Sequence, residues 1–318
     1  MKSFSLLFCL IIGITNVPAQ SGIFNVREIK IEKTYDEISP LGKYRYDSVS
    51  YTVAKEQTAY MYETFSYKSD EFEVEGYSCK PLNSEGKKLP VIIYNRGGTG
   101  NIGKLSEEDL PDFYWLAKYG FVVFASNYRF VGELGKVDQS GGDDVNDVIN
   151  LFEAVQTLDF VDSENIFMMG VSRGGMMTYQ SIRQVTVKAA AVIAGVADLR
   201  LQAEKRPIFI TGWSDLDEEF NYEGLQNILP EFEKNRNQHF DKRSAVVWAD
   251  EIKSPVYILH SRQDGRVPVD GALNLSLKLN ELGKPYKLKI YDEKSHGLPY
   301  SKFDSFEEII AWFKSHMT

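Results

Sequence analysis

Short continuous apolar runs recur along the chain, separated by stretches with helical spacing. Val91-Ile92-Ile93-Tyr94 and Phe121-Val122-Val123-Phe124-Ala125 are bounded by Pro or Gly, as strands covered on both faces are. Ile166 to Val171, Ala189 to Ala194, Val256 to His260 and Tyr286 to Tyr291 repeat the pattern. Between and after these runs, helices are expected over Asp109–Lys118, Asp144–Leu158, about Gly174–Arg183, Gly271–Leu282 and Phe306–Phe313. Asp143, Asp144 and Asp147 fall near the start of one of them, where the helix dipole favours carboxylates. Earlier, Thr64–Tyr67 and Phe72–Tyr77 alternate apolar with polar residues across Lys68-Ser69-Asp70, which predicts a hairpin at one edge of the sheet. The alternation defines an α/β chain with a mostly parallel, doubly wound sheet.

Three regions depart from this rhythm. Residues 1–19 carry Lys2, an apolar core from Phe4 to Ile14 and then Val17-Pro18-Ala19. This reads as a cleavable secretory signal, too short for a membrane span, which predicts export to a secreted or periplasmic location. Residues 20–62 form an N-terminal extension of mixed character, placed against the main domain as an extra strand or helix. Within the main region, 63–318, Leu201 to Asp250 interrupts the strand spacing with helical pieces, many charges and an exposed-looking Trp213, Phe220 and Tyr222, as a cap-like insertion at about 200–250 would. Its Asp215, Asp217, Glu218 and Glu219 read as a solvated surface.

With 318 residues, 43% of them hydrophobic, the chain can bury a large core. A net charge of −9 argues against a nucleic-acid partner, which needs a basic face. Beyond the leader only Cys79 remains, so no internal disulfide is available.

Candidate chemistry centres on Gly170-Val171-Ser172-Arg173-Gly174-Gly175, where a buried strand delivers Ser172 to a sharp turn and a helix begins at once. The flanking glycines leave room where any Cβ would clash, as a nucleophile elbow requires. A serine hydroxyl needs a base, and the base an orienting acid. Of four histidines, His239 lies in the charged insertion, His260 at a strand end and His316 three residues from the C-terminus. His296 follows the last strand in a turn-like loop, where the base belongs. Asp264 follows the preceding strand and is the acid of choice. Asp250 precedes its strand and Asp270 starts a helix, leaving Asp198 as the weaker rival. The order Ser172, Asp264, His296 is that of an α/β-hydrolase. Oxyanion donors are expected from the Arg173 backbone and from Asn95-Arg96-Gly97-Gly98, through the Gly97 backbone and, less directly, Arg96. The same glycines lack the lysine and spacing of a phosphate loop.

Taken together, the entry hairpin, the Gly97-Gly98 loop, the Asp-rich helix start, Gly170-x-Ser172-x-Gly174-Gly175, His260-x3-Asp264-x2-Val267-Pro268 and His296-Gly297 resemble the catalytic domain of the prolyl oligopeptidase family, over roughly Thr64 to Lys314. The resemblance implies an α/β-hydrolase fold and a serine peptidase that needs no cofactor or metal. Arg96 stands where the family usually has His or Tyr. The large β-propeller that often filters substrates in the family has no room in this sequence. The implied substrate is a short peptide, with a small or carbohydrate-linked ester as the alternative, and a non-catalytic binding protein as the reading from another class. If the leader is removed as expected, N-terminal sequencing of the exported protein will begin at Gln20; a first residue upstream of it would refute the cleavage site.

Overall fold

The computed structural model describes residues 22–133, 138–212 and 222–318; the leader, Trp213, Phe220 and the acidic residues 215–219 lie outside them. The described strands are β1 (Ile23–Ile29), β2 (Tyr60–Ser69), β3 (Phe72–Pro81), β4 (Leu89–Asn95), β5 (Val122–Ser126), β6 (Val161–Val171), β7 (Ala190–Ile193), β8 (Val256–Ser261) and β9 (Tyr286–Tyr291). They form one sheet in the order β1-β2-β3-β5-β4-β6-β7-β8-β9. Pairing is antiparallel from β1 to β5 and parallel from there to β9. The expected hairpin is β2–β3, but it is not the edge: β1, from the extension, pairs outside it.

The helices are α1 (Pro40–Arg45), α2 (Ser48–Glu56), α3 (Leu110–Ala117), α4 (Val145–Val155), α5 (Arg173–Gln184), α6 (Leu199–Lys205), α7 (Ile208–Thr211), α8 (Leu225–Ile228), α9 (Phe232–Arg243), α10 (Val269–Glu281) and α11 (Lys302–Lys314). Side chains alternate across a strand, and here both faces are covered. Val91 and Ile93 of β4 join the core under α4, α5 and α10. Ile92 and Tyr94 join the opposite core under α2, α3 and α11. That double cover is why the central strands read as unbroken apolar runs.

The extension is part of this second core rather than an outer layer, through Ile31, Ile38, Tyr46, Tyr51 and Ala54. Charge fixes it as well. Arg45 pairs with Asp109 at 2.5 Å and with Asp112 at 2.7 Å, and Lys302 at the start of α11 reaches Asp112 at 2.8 Å. Lys302 also lies 4.2 Å from the centre of the buried Tyr46 ring. Burial pushes the Asp112 carboxyl up, but Lys302 and Arg45 outweigh it and hold it below its ordinary value.

The insertion is helical, α6 to α9, with its own small core of Leu199, Ile210, Leu225, Leu229, Phe232 and Phe240. This core closes on Met176 of α5 and on Val267. Tyr222 is not exposed: it is 6% accessible, stacks on Phe209 at 5.7 Å and donates its hydroxyl to the Phe209 carbonyl at 3.0 Å.

Removing this buried carboxylate leaves Lys302 without its ion-pair partner and Arg45 with Asp109 alone, so Asp112→Ala is expected to lower stability by about 3–5 kcal/mol, read as a shift in the urea midpoint; a loss below about 1 kcal/mol would show that the cluster is solvated.

Candidate active site

Connections from β4 lead to β5 on one side, while those from β6 lead to β7 on the other. This reversal opens a crevice at the carboxyl ends of β4 and β6, where ligands of doubly wound sheets bind. Asn95 pairs with Gly170, which carries Gly97 and Ser172 to the same level beyond the strand ends. A Cβ on Gly97 would stand 3.4 Å from Ser172 Cβ and 4.0 Å from Ser172 Oγ.

Ser172 has φ 58° and ψ −123°, a conformation that an L-residue adopts only under constraint. The turn closes because a Cβ at Gly170 would overlap the Gly174 carbonyl and one at Gly174 the Asn95 carbonyl. Ser172 N donates to the Ile193 carbonyl at 2.9 Å, tying the turn to β7. Tyr128 after β5, Ala194 after β7 and Leu298 in the loop after β9 also have positive φ, so each of these strand ends, like that of β6, is followed by a strained residue.

Asp264 and His296 meet there: His296 Nδ1 lies 2.7 Å from Asp264 Oδ2. A carboxylate can only accept, so Nδ1 carries the proton and Nε2 is left as the basic nitrogen. Asp264 Oδ1 accepts from the backbone N–H of Arg266 at 2.8 Å and of Val267 at 3.0 Å. Burial raises the Asp264 pKa, but His296 and these donors prevail and keep it below the usual carboxylate value. Ser172 and His296 make no hydrogen bond to each other among the described residues; the His296 loop approaches the elbow through Gly297, where a Cβ would lie 3.5 Å from Val171 Cγ1.

The other candidates have structural partners. Asp198 caps α6 through the Leu201 N–H at 3.0 Å. His239 bonds the Pro230 carbonyl and His316 that of Trp312. Buried His260 faces the Val267 carbonyl with Nε2 at 2.9 Å and stands 3.6 Å from Asp264 Oδ2. Burial lowers its pKa and keeps it neutral, so it braces the loop that curls around Asp264. The sequence signal for that role was its fixed four-residue offset from Asp264.

Two arginines organise the glycine loop. The Arg96 side chain is buried and donates to the carbonyls of Asn127, Gly97, Ile102 and Gly100 at 2.8–3.1 Å. Burial, then the nearby Arg173 charge, push its guanidinium down to about 10. Arg173 reaches the Gly98 carbonyl at 2.8 Å and Asp138 at 3.0 Å, and pairs with Asp144. Both guanidiniums lie over the Tyr128 ring, at 4.9 and 4.7 Å, and the Tyr128 hydroxyl donates to the Arg96 carbonyl at 3.2 Å. Asp144 and Asp147 therefore do more than complement a helix dipole. Asp144 holds Arg173 and the N–H groups of Gly141 and Gly142, while Asp147 holds Arg129 at 2.7 Å. Nothing in residue spacing alone pairs these aspartates with Arg173 at the start of α5 and Arg129 in the loop after β5. Arg243 of α9 joins the insertion to the same segment through the Ser140 and Gln139 carbonyls, each at 2.9 Å.

Comparison with known proteins agrees with this architecture. The model of the prolyl oligopeptidase family matches residues 109–318, and the chain belongs to that family of serine peptidases. It is 30% identical over 242 residues to acylamino-acid-releasing enzyme 1 of Oryza sativa subsp. japonica, a match covering 72% of this chain and 30% of that one. It is 27% identical to the uncharacterized peptidase YtmA of Bacillus subtilis over 79% of this chain and 93% of the relative. The acylaminoacyl peptidase of Pyrococcus horikoshii has the same fold, with a TM-score of 0.64 at 24% identity over 86% of this chain and 44% of that one. The chain thus spans about a third of the plant enzyme's length.

Because the Asp264 pKa is depressed in the folded protein, its contribution to stability is present above the unfolded value, about 4, and is lost as pH falls through the lower folded value. Asp264→Asn is expected to remove that part of the acid limb in stability measured by urea unfolding from pH 7 downwards; an unchanged profile would contradict the assignment.

Proposed function

We propose that this chain is a serine hydrolase acting on short peptides, N-acylated ones among them, through an acyl-enzyme on Ser172. His296 Nε2 takes the Ser172 proton as Oγ attacks the carbonyl carbon, and returns it to the leaving amine. Asp264 holds His296 in the tautomer that leaves Nε2 free and stabilises the imidazolium. The backbone N–H groups of Gly97 and Arg173 receive the developing oxyanion. Arg96 acts behind them, its guanidinium clamping the carbonyls of the glycine loop rather than facing the reacting carbon. Water then repeats the sequence on the acyl-enzyme.

The observation that carries this reading is the 2.7 Å His296–Asp264 bond at the sheet edge where Ser172 is held in its strained turn. Family membership and the likeness to an acylamino-acid-releasing enzyme support a peptide bond as the target. In this reading the exported protein works outside the cytosol, supported by the leader-like residues 1–19. No helix of the described residues is long and apolar enough to cross a membrane.

A fluorophosphonate probe is expected to label the protein at Ser172, and Ser172→Ala to abolish labelling and lower kcat by about a thousandfold or more. Labelling that persists in the variant would defeat the assignment. Turnover of acetyl esters without cleavage of N-acyl or aminoacyl-prolyl amides would overturn the peptidase part alone.

A further inference from the structure

Helix α1 ends in three consecutive residues with different environments. Arg45 is committed to Asp109 and Asp112, and Tyr46 is 3% accessible in the core beneath Lys302. Both ends of the helix are held, since Ser39 also donates from its backbone and hydroxyl to Glu108, at 3.2 and 2.6 Å. Tyr44, between these anchors, is 47% accessible. Its ring meets that of Tyr300 edge-on, with centroids 6.3 Å apart and planes at 75°. Tyr300 follows His296 by four residues and is 78% accessible. Burial, then Tyr300, raise the Tyr44 phenol pKa, while Ser295 and Arg266 act against them. Ser295 adjoins His296, and Arg266 lies two residues beyond Asp264. The extension therefore sets an aromatic side chain against Tyr300, in the loop after β9 that also carries His296.

Large aromatic side chains left accessible on a rigid support are contact surface in waiting, because they bring much apolar area with little conformational entropy to lose. Which part of a substrate they meet follows from the chemistry. The oxyanion is held at Gly97, and the leaving group must receive the proton from His296. The leaving group therefore departs on the side of His296, whose loop also carries Tyr300 and, packed on it, Tyr44.

We propose that Tyr44 and Tyr300 form an aromatic wall for the leaving group, selecting substrates whose residue after the scissile bond is aromatic or large and apolar. The proposal rests on the serine hydrolase reading above. It gives the N-terminal extension a specificity role in addition to its place in the core.

The test uses the acyl-enzyme formed from p-nitrophenyl acetate, partitioned between water and an added amine at about pH 8, where about half or more of an α-amino group is neutral; the ratio is taken per neutral amine. The amine nitrogen attacks the acetyl carbonyl, the bond to Ser172 Oγ breaks, and the amine proton passes through His296 to Oγ. The products are an N-acetyl amide and free enzyme. The ratio of amide to acetate is measured with phenylalaninamide and with glycinamide. In the wild type phenylalaninamide is expected to be favoured by roughly tenfold. Tyr44→Ala and Tyr300→Ala are expected to bring that preference to within about twofold, and Tyr44→Phe to retain it. The comparison is internal to each variant, so a general loss of activity cancels. Tyr300 is too exposed for its truncation to unfold the protein, so Tyr300→Ala decides if Tyr44→Ala does not fold. No preference in the wild type, or the same preference in both alanine variants, overturns the wall while leaving the hydrolase intact. Failure of the wild type both to release p-nitrophenol from the ester and to accept a fluorophosphonate overturns the hydrolase reading, and the wall falls with it.

Discussion

The left-handed backbone at Ser172 is the constraint on which the rest depends. A residue with a Cβ holds φ 58° only when its surroundings leave no alternative. Here the strand before it, the helix after it and the β7 carbonyl beside it all pull on the same peptide. The turn also requires close backbone approach, and Gly174 packs against the Asn95 carbonyl at the root of the glycine loop. The elbow and that loop are thus one construction: the contact that allows the turn also sets Gly97 near the Ser172 hydroxyl.

Buried charge carries this precision outward. Arg173, next to Ser172, is bound to Asp138 and Asp144, and Asp138 also accepts from the Gly100 N–H at 2.7 Å. The loop is therefore held from above by Asp138 and from within by Arg96. On the other side of the sheet, Asp112 joins the extension to the first turn of α11, a few residues after His296. Desolvated charges need directional partners, and here those partners are the segments that frame the site.

Two parts of the chain without a strong strand signal complete the molecule. The extension fills the core beneath α3 and α11, and the insertion builds a small core against Met176 and Val267. Each touches a residue close in sequence to a member of the Ser172, Asp264, His296 set. Elements outside the alternating α/β pattern thus pack beside the segments that carry those residues.

The apolar runs determined the central strands and their double cover, because burial on both faces leaves no polar alternation to misread. Gly170, Gly174, Asp264 and His296 could be singled out for a related reason: each lies in or just after the segment that follows the carboxyl end of an apolar run. Other features needed the tertiary structure. The edge position of β1 and the burial of Tyr222 come from contacts with distant segments, which no local periodicity encodes. The same holds for Arg96, whose side chain could have faced the site but donates to four carbonyls of its own and a neighbouring loop. Sequence determined where strands end and which groups stand there; only the packed chain decided where the charged side chains between them point, because that choice depends on which carbonyls and carboxylates burial leaves within reach.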